Sequence, residues 1–325
     1  MSKRQKDNRA TGEKIVIVTL SILLALTAVY AVVRHYVRAP EVADKPEQDA
    51  EQTAPDSKRK PLCYTILLSG LDDDNGGSDT NILMCFDAEE GDISLVSLPR
   101  DTLLNHDWAS NKLNYAYAKG GTDLICSEIT DLLGVPVDFS VTVSLRSFEK
   151  IIDQIGGVDF NVPKNMDYDD PYQNLSIHFK KGMQHLDGKQ ALKVVRWRKN
   201  NDGTAYATAD IGRIGTQQEF LKAAATQVMD KLGPDDVPSL AKIFFEDVKT
   251  DLSVGNLIWL GKEALSIGMD NVHFYTLPGD GSAYYKGESV YALDPAATLT
   301  LVNDVLNPYK EPIEAEDMNI VDVTK

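Results

Sequence analysis

Four short stretches carry residue types that packing alone does not call for. The run Gly70 to Thr80 (GLDDDNGGSDT) strings carboxylates among glycines, with Asp72 and Asp79 at its flanks. Carboxylate oxygens are what a hard cation such as Mg²⁺ prefers, so this pair is a candidate metal site; the competing reading is a solvated Asp/Asn/Gly turn. Arg100, in LPRDT, follows an apolar run. It either pairs with a neighbouring Asp or extends into a crevice at the strand ends, where α/β proteins place ligands. Arg196 and Arg198, in VRWRK, alternate and would point together from an extended segment. Two adjacent guanidiniums repel unless an anion lies between them, and phosphate fits that fork. Arg213 and Gln217, in DIGRIGTQQ, lie four residues apart near the start of a helical stretch, hence on one face at its positive end. An arginine there is awkward unless an anion docks. Asp210 could simply cap that helix.

These cations work against the rest of the chain. Among 325 residues, 33 Lys and Arg face 49 Asp and Glu, a net charge of −16. Residues 1–38 hold seven basic and two acidic side chains, which leaves 26 basic and 47 acidic groups, or −21, on the remainder. So negative an exterior argues against a nucleic-acid partner, which needs a basic surface. A composition of 43% hydrophobic and 25% charged residues excludes collagen-like, coiled-coil and wholly disordered chains. The cysteines Cys63, Cys85 and Cys126 make no disulfide framework, and Cys63 and Cys85 read as packing thiols in apolar runs.

Strand ends and helix starts must hold the arginines in place. Residues 61–71, 80–86 and 93–98 read as buried strands, the last two joined by a Glu90-Gly91 turn; 139–143, 158–162 and 272–277 read as further strands. Helical spacing covers 120–133, 144–155, 187–196, 212–231, 241–248, 254–267 and 295–306. Interleaved strands and helices without an internal repeat predict one α/β domain over 61–310, an α/β/α sandwich on a central mixed sheet. An acidic, loose tail over 311–325 follows.

Ahead of the domain, Ile15 to Val33 is nineteen residues without a charge. At the helical rise it spans about 28 Å, near the hydrocarbon thickness of a bilayer. Lys3, Arg4, Lys6, Arg9 and Lys14 precede it, and only Arg34 and Arg38 closely follow. The positive-inside rule then puts residues 1–14 in the cytoplasm and the domain outside, with 15–33 as a single transmembrane helix. A cleaved signal peptide competes, but the run is long and lacks a clean small-x-small site. Residues 34–60, rich in Pro, Gln, Asp and Glu, read as a flexible stalk.

In order along the chain, GLDDDNGGSDTNIL, VSLPRDT, KLNYAYAKGG, FEKIIDQIGGVDFNVP, GMQHLDGKQALKVVRWRK and DIGRIGTQQ resemble the LytR-CpsA-Psr family, the membrane-anchored phosphotransferases of Gram-positive cell walls. The resemblance implies an apolar tunnel for a polyprenyl chain and Mg²⁺-assisted transfer of a phospho-glycan from polyprenyl pyrophosphate to peptidoglycan. It implies that Asp72 and Asp79 hold Mg²⁺, that Arg100, Arg196, Arg198 and Arg213 clamp the pyrophosphate with Gln217 assisting, and that Asp210 orients an arginine. Two positions depart: the family often has Arg before its Ser-Asp-Thr, where this chain has Gly77, and before Gln-Gln, where it has Thr216. Lys199 is a candidate substitute. The departures keep two alternatives open, a catalytically reduced lipid-pyrophosphate-binding wall-assembly protein and a lipid-pyrophosphate hydrolase. A transcriptional role conflicts with an external domain at −21 that has no basic recognition helix. The glycan (teichoic acid, capsule or another secondary polymer) is left open.

Overall fold

Alternation along three apolar strands decides the layering. In the computed structural model, which describes residues 36–42, 59–71, 76–172, 175–206, 210–231 and 233–323, β1 (Cys63–Leu71), β2 (Ser78–Asp87) and β3 (Asp92–Leu98) are successive antiparallel neighbours. Side chains leave opposite faces at successive strand residues. Cys63, Leu67, Leu83, Val96 and Leu98 therefore enter one core, and Tyr64, Ile66, Ile82, Ile93 and Leu95 enter another. Strands buried on both faces need cover on both. The first core is closed by α1 (Leu113–Leu133), through Leu113, Ile125, Ile129 and Leu133, and by Val302 of a C-terminal helix, Pro295–Val305. Each fully buried Leu there stabilises the fold by about 1.5–3 kcal/mol, and Leu67→Ala would cost about 2–5 kcal/mol.

The sheet is mixed. β1 also pairs in parallel with β4 (Phe139–Val143), and β3 pairs in parallel with a strand at Val272–Thr276; a two-residue strand at Lys249–Thr250 closes the β4 edge antiparallel. The second core lies on the opposite face, under the helix Val254–Ile267, with Trp259 edge-on to Tyr64. The sheet thus has helices on both faces, as expected.

The middle of the chain builds a second unit. α2 (Leu145–Gln154), β5 (Val158–Val162), β6 (Met166–Asp170), β7 (Leu175–Phe179), β8 (Gly182–Leu186), α3 (Gly188–Arg196) and α4 (Asp210–Lys231) enclose Ile152, Phe160, Ile177, Trp197 and Phe220. The β5–β8 and β6–β7 pairs bury one face only, so their five-residue strands look polar in the sequence, and only β5 was expected. α4 touches every core: Ile211 meets the first, Phe220 and Ala224 this third one, and Leu221 the second.

Several boundaries differ from expectation. α1 starts seven residues early, at Leu113, and is interrupted at Gly121, whose φ of 67° and ψ of −155° suit glycine. α5 (Val237–Asp247) begins at Val237, with a proline in its first turn, where the missing N–H loses no helical bond. α6 (Val254–Ile267) is capped at both backbone and side-chain level by Ser253 and Asn256. β9 (Lys249–Thr250), β10 (Val272–Thr276) and α7 (Pro295–Val305) complete the elements named above.

The stalk and the tail are less loose than their composition suggests. Ala39 and Val42 pack on the second core, and Asn256 donates to the Arg38 carbonyl at 3.1 Å. Gly255 allows that approach, since a Cβ there would lie 1.8 Å from the Tyr36 carbonyl oxygen. In the acidic tail, Ile313 is buried and exchanges two hydrogen bonds with Asn303, while Met318 and Ile320 pack on the first core. Apolar residues spaced among acids anchor it, which net charge conceals. The expected membrane span 15–33 and stalk residues 43–58 lie outside the described residues. Among those described, no helix is long and apolar enough to cross a membrane. Cys63 and Cys85 pack as buried thiols, sulfurs 3.6 Å apart.

Candidate functional site

A cavity of about 540 Å³ opens where β2 begins, β3 ends and α4 starts. Its wall includes Asp79 and Asn81 of β2, Arg100 and Asp101 just past β3, and Ile211, Arg213, Ile214 and Gln217 from the first turns of α4. The location follows from connectivity. The apolar strands stop at Leu98, so the next charged residue, Arg100, projects at the sheet's end, where ligands of open α/β sheets bind.

Asp79 is the hub. Its Oδ1 accepts from Arg100 Nη1 at 2.8 Å, and its Oδ2 lies 3.4 Å from Arg198 Nη2. Burial pushes the Asp79 carboxyl upward, but the Arg100 charge and hydrogen bond, followed by the charges of Arg213 and Arg198, outweigh it and hold its pKa below the usual value. Three guanidiniums from three separate stretches thus act on one carboxylate. Arg213 is only 4% exposed, so its charge is committed to the cavity. A buried guanidinium is retained where opposite charge meets it. Arg100 is further fixed by Asp101, which lies 3.9 Å from its Nε and also pairs with Lys112 at 3.4 Å.

The remaining expected residues divide. Arg198 reaches Asp79, but not from an extended segment paired with Arg196. Arg196 is the last residue of α3, and Trp197 caps that helix. The helical pattern of ALKVV carries through Arg196, and buried Trp197 turns the chain, so the two arginines belong to different local structures. Arg196 is half-buried and does not line the cavity. Gln217 lines it, but its Nε2 donates to the Val195 carbonyl at 3.2 Å and so ties α4 to the end of α3. Asp210 opens α4, though its side chain lies outside the described residues, as does Asp72 altogether. Lys199 is exposed and bridges to Ala205 through backbone.

The two departures behave differently. A Cβ on Gly77 would meet the Asn114 carbonyl oxygen at 3.4 Å, an ordinary contact, so this position has room for a side chain. Thr216 is buried and shares a 2.6 Å hydrogen bond with the Tyr206 hydroxyl; the Tyr206 ring stands edge-on to Trp197 at 4.9 Å. That position is filled by packing.

One residue escaped the sequence reading. Gln218 Nε2 lies 2.9 Å from Ser97 Oγ, 2.7 Å from the Tyr275 carbonyl and 3.1 Å from Thr276 Oγ1. It clamps α4 to the ends of β3 and β10 and thereby sets Arg213 opposite Arg100. The only signal was its place beside Gln217, which gave no reason to prefer either amide.

A second, apolar cavity of about 310 Å³ lies between α2, α4, α5 and α6, lined by residues such as Ile151, Ala225, Met229, Leu240, Phe244 and Leu257. α4 walls both cavities. Ile214 of the polar one and Ala225 of the apolar one are eleven residues apart, about three turns and ~16 Å along one stripe of the helix.

The chain is similar to proteins already known. The chain is 30% identical over 254 residues to the polyisoprenyl-teichoic acid–peptidoglycan teichoic acid transferase TagV of Bacillus subtilis (strain 168), covering 75% of this chain and 63% of that relative, somewhat less than two thirds of its length. It is 29% identical over 272 residues to the transferase of the same description, TagU, of Bacillus mycoides (strain KBAB4), covering 82% and 84%. The crystal structure of B. subtilis TagV superimposes with a TM-score of 0.63 at 25% identity, over 74% of this chain and 94% of that one, and shares the mixed sheet flanked by helices. The model of the LytR_cpsA_psr family matches residues 29–305, and the chain belongs to that family.

Proposed function

We propose that this protein is a phosphotransferase that moves a phosphate-linked wall glycan, of the teichoic acid class, from a polyprenyl pyrophosphate to peptidoglycan. The carrying observation is the convergence of Arg100, Arg198 and Arg213 on Asp79 at one cavity of an otherwise strongly negative molecule. The relatives named as teichoic acid transferases support the class of glycan and acceptor. The donor's pyrophosphate would occupy the arginine-lined cavity, displacing Asp79 as the guanidiniums' anion, with Arg196 at the end of α3 as a further cation on that side. Its prenyl chain would enter the apolar cavity farther along α4.

In this reading an acceptor hydroxyl attacks the glycan-bearing phosphorus. The bridging P–O bond breaks, polyprenyl monophosphate leaves with the bridging oxygen, and the hydroxyl proton passes to solvent water. Arg100 and Arg213 stabilise the charge that moves onto the leaving phosphate, and being held before the reaction they need little reorganisation. Mg²⁺ belongs to the proposal because the cavity presents hard oxygen donors. Asp79, held ionised, and Asp72 would hold the ion together with donor phosphates, where it would neutralise charge. The N-terminal segment 15–33 would anchor the domain on the outer membrane face, beside a donor that stays in the bilayer.

The test is transfer by the full chain in detergent, from a polyprenyl-pyrophosphate glycan to isolated peptidoglycan. Arg100→Ala should lower turnover roughly 100-fold or more while the circular dichroism spectrum shows the fold intact. Wild-type turnover in that variant would overturn the assignment. Thr216, locked into packing where the family often has a cation, favours a second reading, a catalytically reduced lipid-pyrophosphate-binding wall-assembly protein. Donor binding with no labelled glycan phosphate released or transferred in a single-turnover assay would establish that reading instead.

A further inference from the structure

The polar cavity has a second wall unlike the arginine wall. Asp280, Gly281, Ser282, Ser289, Val290 and Tyr291 line it. These are the two roots of a small hairpin formed by β12 (Tyr284–Tyr285) and β13 (Glu288–Ser289), which stands between β11 (Gly279–Asp280) and β14 (Ala292–Leu293). Lys286 and Gly287 form its turn, with φ of 48° and 88°, the paired left-handed conformations that a two-residue hairpin turn uses.

This hairpin is braced. The Val290 N–H donates to the Ala283 carbonyl at 2.9 Å, extending the ladder. Lys286 Nζ lies 2.8 Å from Asp107 Oδ1, and Ser110 Oγ donates to Glu288 Oε2 at 3.3 Å. At its base the Tyr291 N–H donates to the Asp101 carbonyl at 2.8 Å, and the Leu103 N–H donates to the Tyr291 carbonyl at 2.9 Å. The hairpin is therefore fixed to the segment that carries Arg100.

At the start of β12, opposite Ser289, Tyr284 is 74% exposed. Other large apolar side chains are exposed too, among the described residues Tyr36, Leu62, Tyr172, Met183 and Phe245, but only Tyr284 stands within two residues of this cavity's wall. A tyrosine on a braced hairpin offers a rigid, amphipathic ring with little conformational entropy to lose. The charges around it are the reverse of the opposite wall. Asp280 and Glu288 are acidic, and the one basic group, Lys286, is paired with Asp107. An anion is disfavoured there, whereas a ligand rich in hydroxyls can donate to Asp280, Ser282 and Ser289 while its ring lies on Tyr284.

We propose that the β12–β13 hairpin is the acceptor subsite, with Tyr284 stacking on a sugar ring of the glycan that receives the transferred group. The proposal rests on the transferase reading and assigns the two walls to two substrates, the phosphorylated donor to the arginines and the uncharged sugar surface to the hairpin. Positions on both sides of one cavity would bring hydroxyl and phosphorus together.

Binding measured without turnover separates this idea from the reading beneath it. Full-length protein in detergent is titrated by calorimetry with a soluble peptidoglycan tetrasaccharide and, separately, with a prenyl pyrophosphate. Tyr284→Ala should weaken tetrasaccharide binding at least tenfold, Tyr284→Trp should restore it, and neither should change prenyl pyrophosphate binding or the melting temperature. In the transfer assay Tyr284→Ala should raise KM for peptidoglycan and leave KM for the donor unchanged. Equal tetrasaccharide affinity in wild type and Tyr284→Ala, or no tetrasaccharide binding by wild type, overturns the acceptor subsite. Loss of both ligands' binding in Tyr284→Ala also overturns it, because the tyrosine would then be acting on the whole cavity. Failure of wild type to bind prenyl pyrophosphate strikes the transferase reading instead.

Discussion

The polar and apolar cavities share α4 and differ in almost everything else. The polar one is built at strand ends, where register is fixed by the sheet and Gln218 bolts the helix to β3 and β10. The apolar one is built between helices alone, and its lining residues offer almost no polar group beyond Gln154. Charge chemistry needs donors held in place before a ligand arrives, because reorganising dipoles forfeits electrostatic stabilisation. A hydrocarbon chain asks only for apolar surface of adequate volume, which helices supply with tolerance for shape. Rigidity thus sits where charge is handled and adaptability where lipid would be.

Filling the apolar cavity gives the largest expected change that separates the two regions. Ala225→Phe should raise KM about tenfold for a long-chain prenyl donor, since displacing about two methylenes loses ~1.5 kcal/mol of burial. A donor with a short chain should be unaffected. Equal effects on both donors in a chain-length series would show that this cavity does not hold the tail.

A smaller effect concerns Asp79. A carboxylate whose folded pKa is depressed contributes stability above its ordinary pKa, near 3.9, and loses that contribution as pH falls through the lowered folded value. Wild type should therefore melt higher than Asp79→Asn from neutral pH down to about pH 4, and the two curves should converge below that. A gap in melting temperature independent of pH would show that Asp79 acts through packing rather than charge. The helix-lined cavity, without ionisable lining residues, should give Ala225→Phe no such pH signature.

The smallest effect sharpens the polar side itself. Gly77→Arg enters a position with room, so it should tighten pyrophosphate binding about two- to threefold, on the scale of a partly exposed ion pair. Weaker binding than wild type would place Gly77 away from the donor.

Much of this site could be read before folding. Apolar runs ending in polar residues located the strands, and those ends brought Asp79 and Arg100 together; an arginine at the positive end of a helix singled out Arg213. Arg196 ends the expected helix over 187–196, and the expected side-by-side pairing with Arg198 fails because buried Trp197 turns the chain between them. The β6–β7 and β12–β13 hairpins were missed since strands of two to five residues with one wet face leave scant period to detect. Tail docking, through Ile313 in the first core and Asn319 on Asp131, and the role of Gln218 depend on contacts distant in sequence, which local pattern does not encode.

Because one continuous helix forms part of both chambers, the spacing between them is set by a count of turns and not by a loop that can stretch. On the proposed reading, α4 acts as a ruler laid beside the substrate. It would admit a molecule whose greasy end and charged end are separated by the right span and penalise one that satisfies either chamber alone. Inserting or deleting a single residue near its middle would turn the downstream stripe by about 100° and put the two ends out of phase.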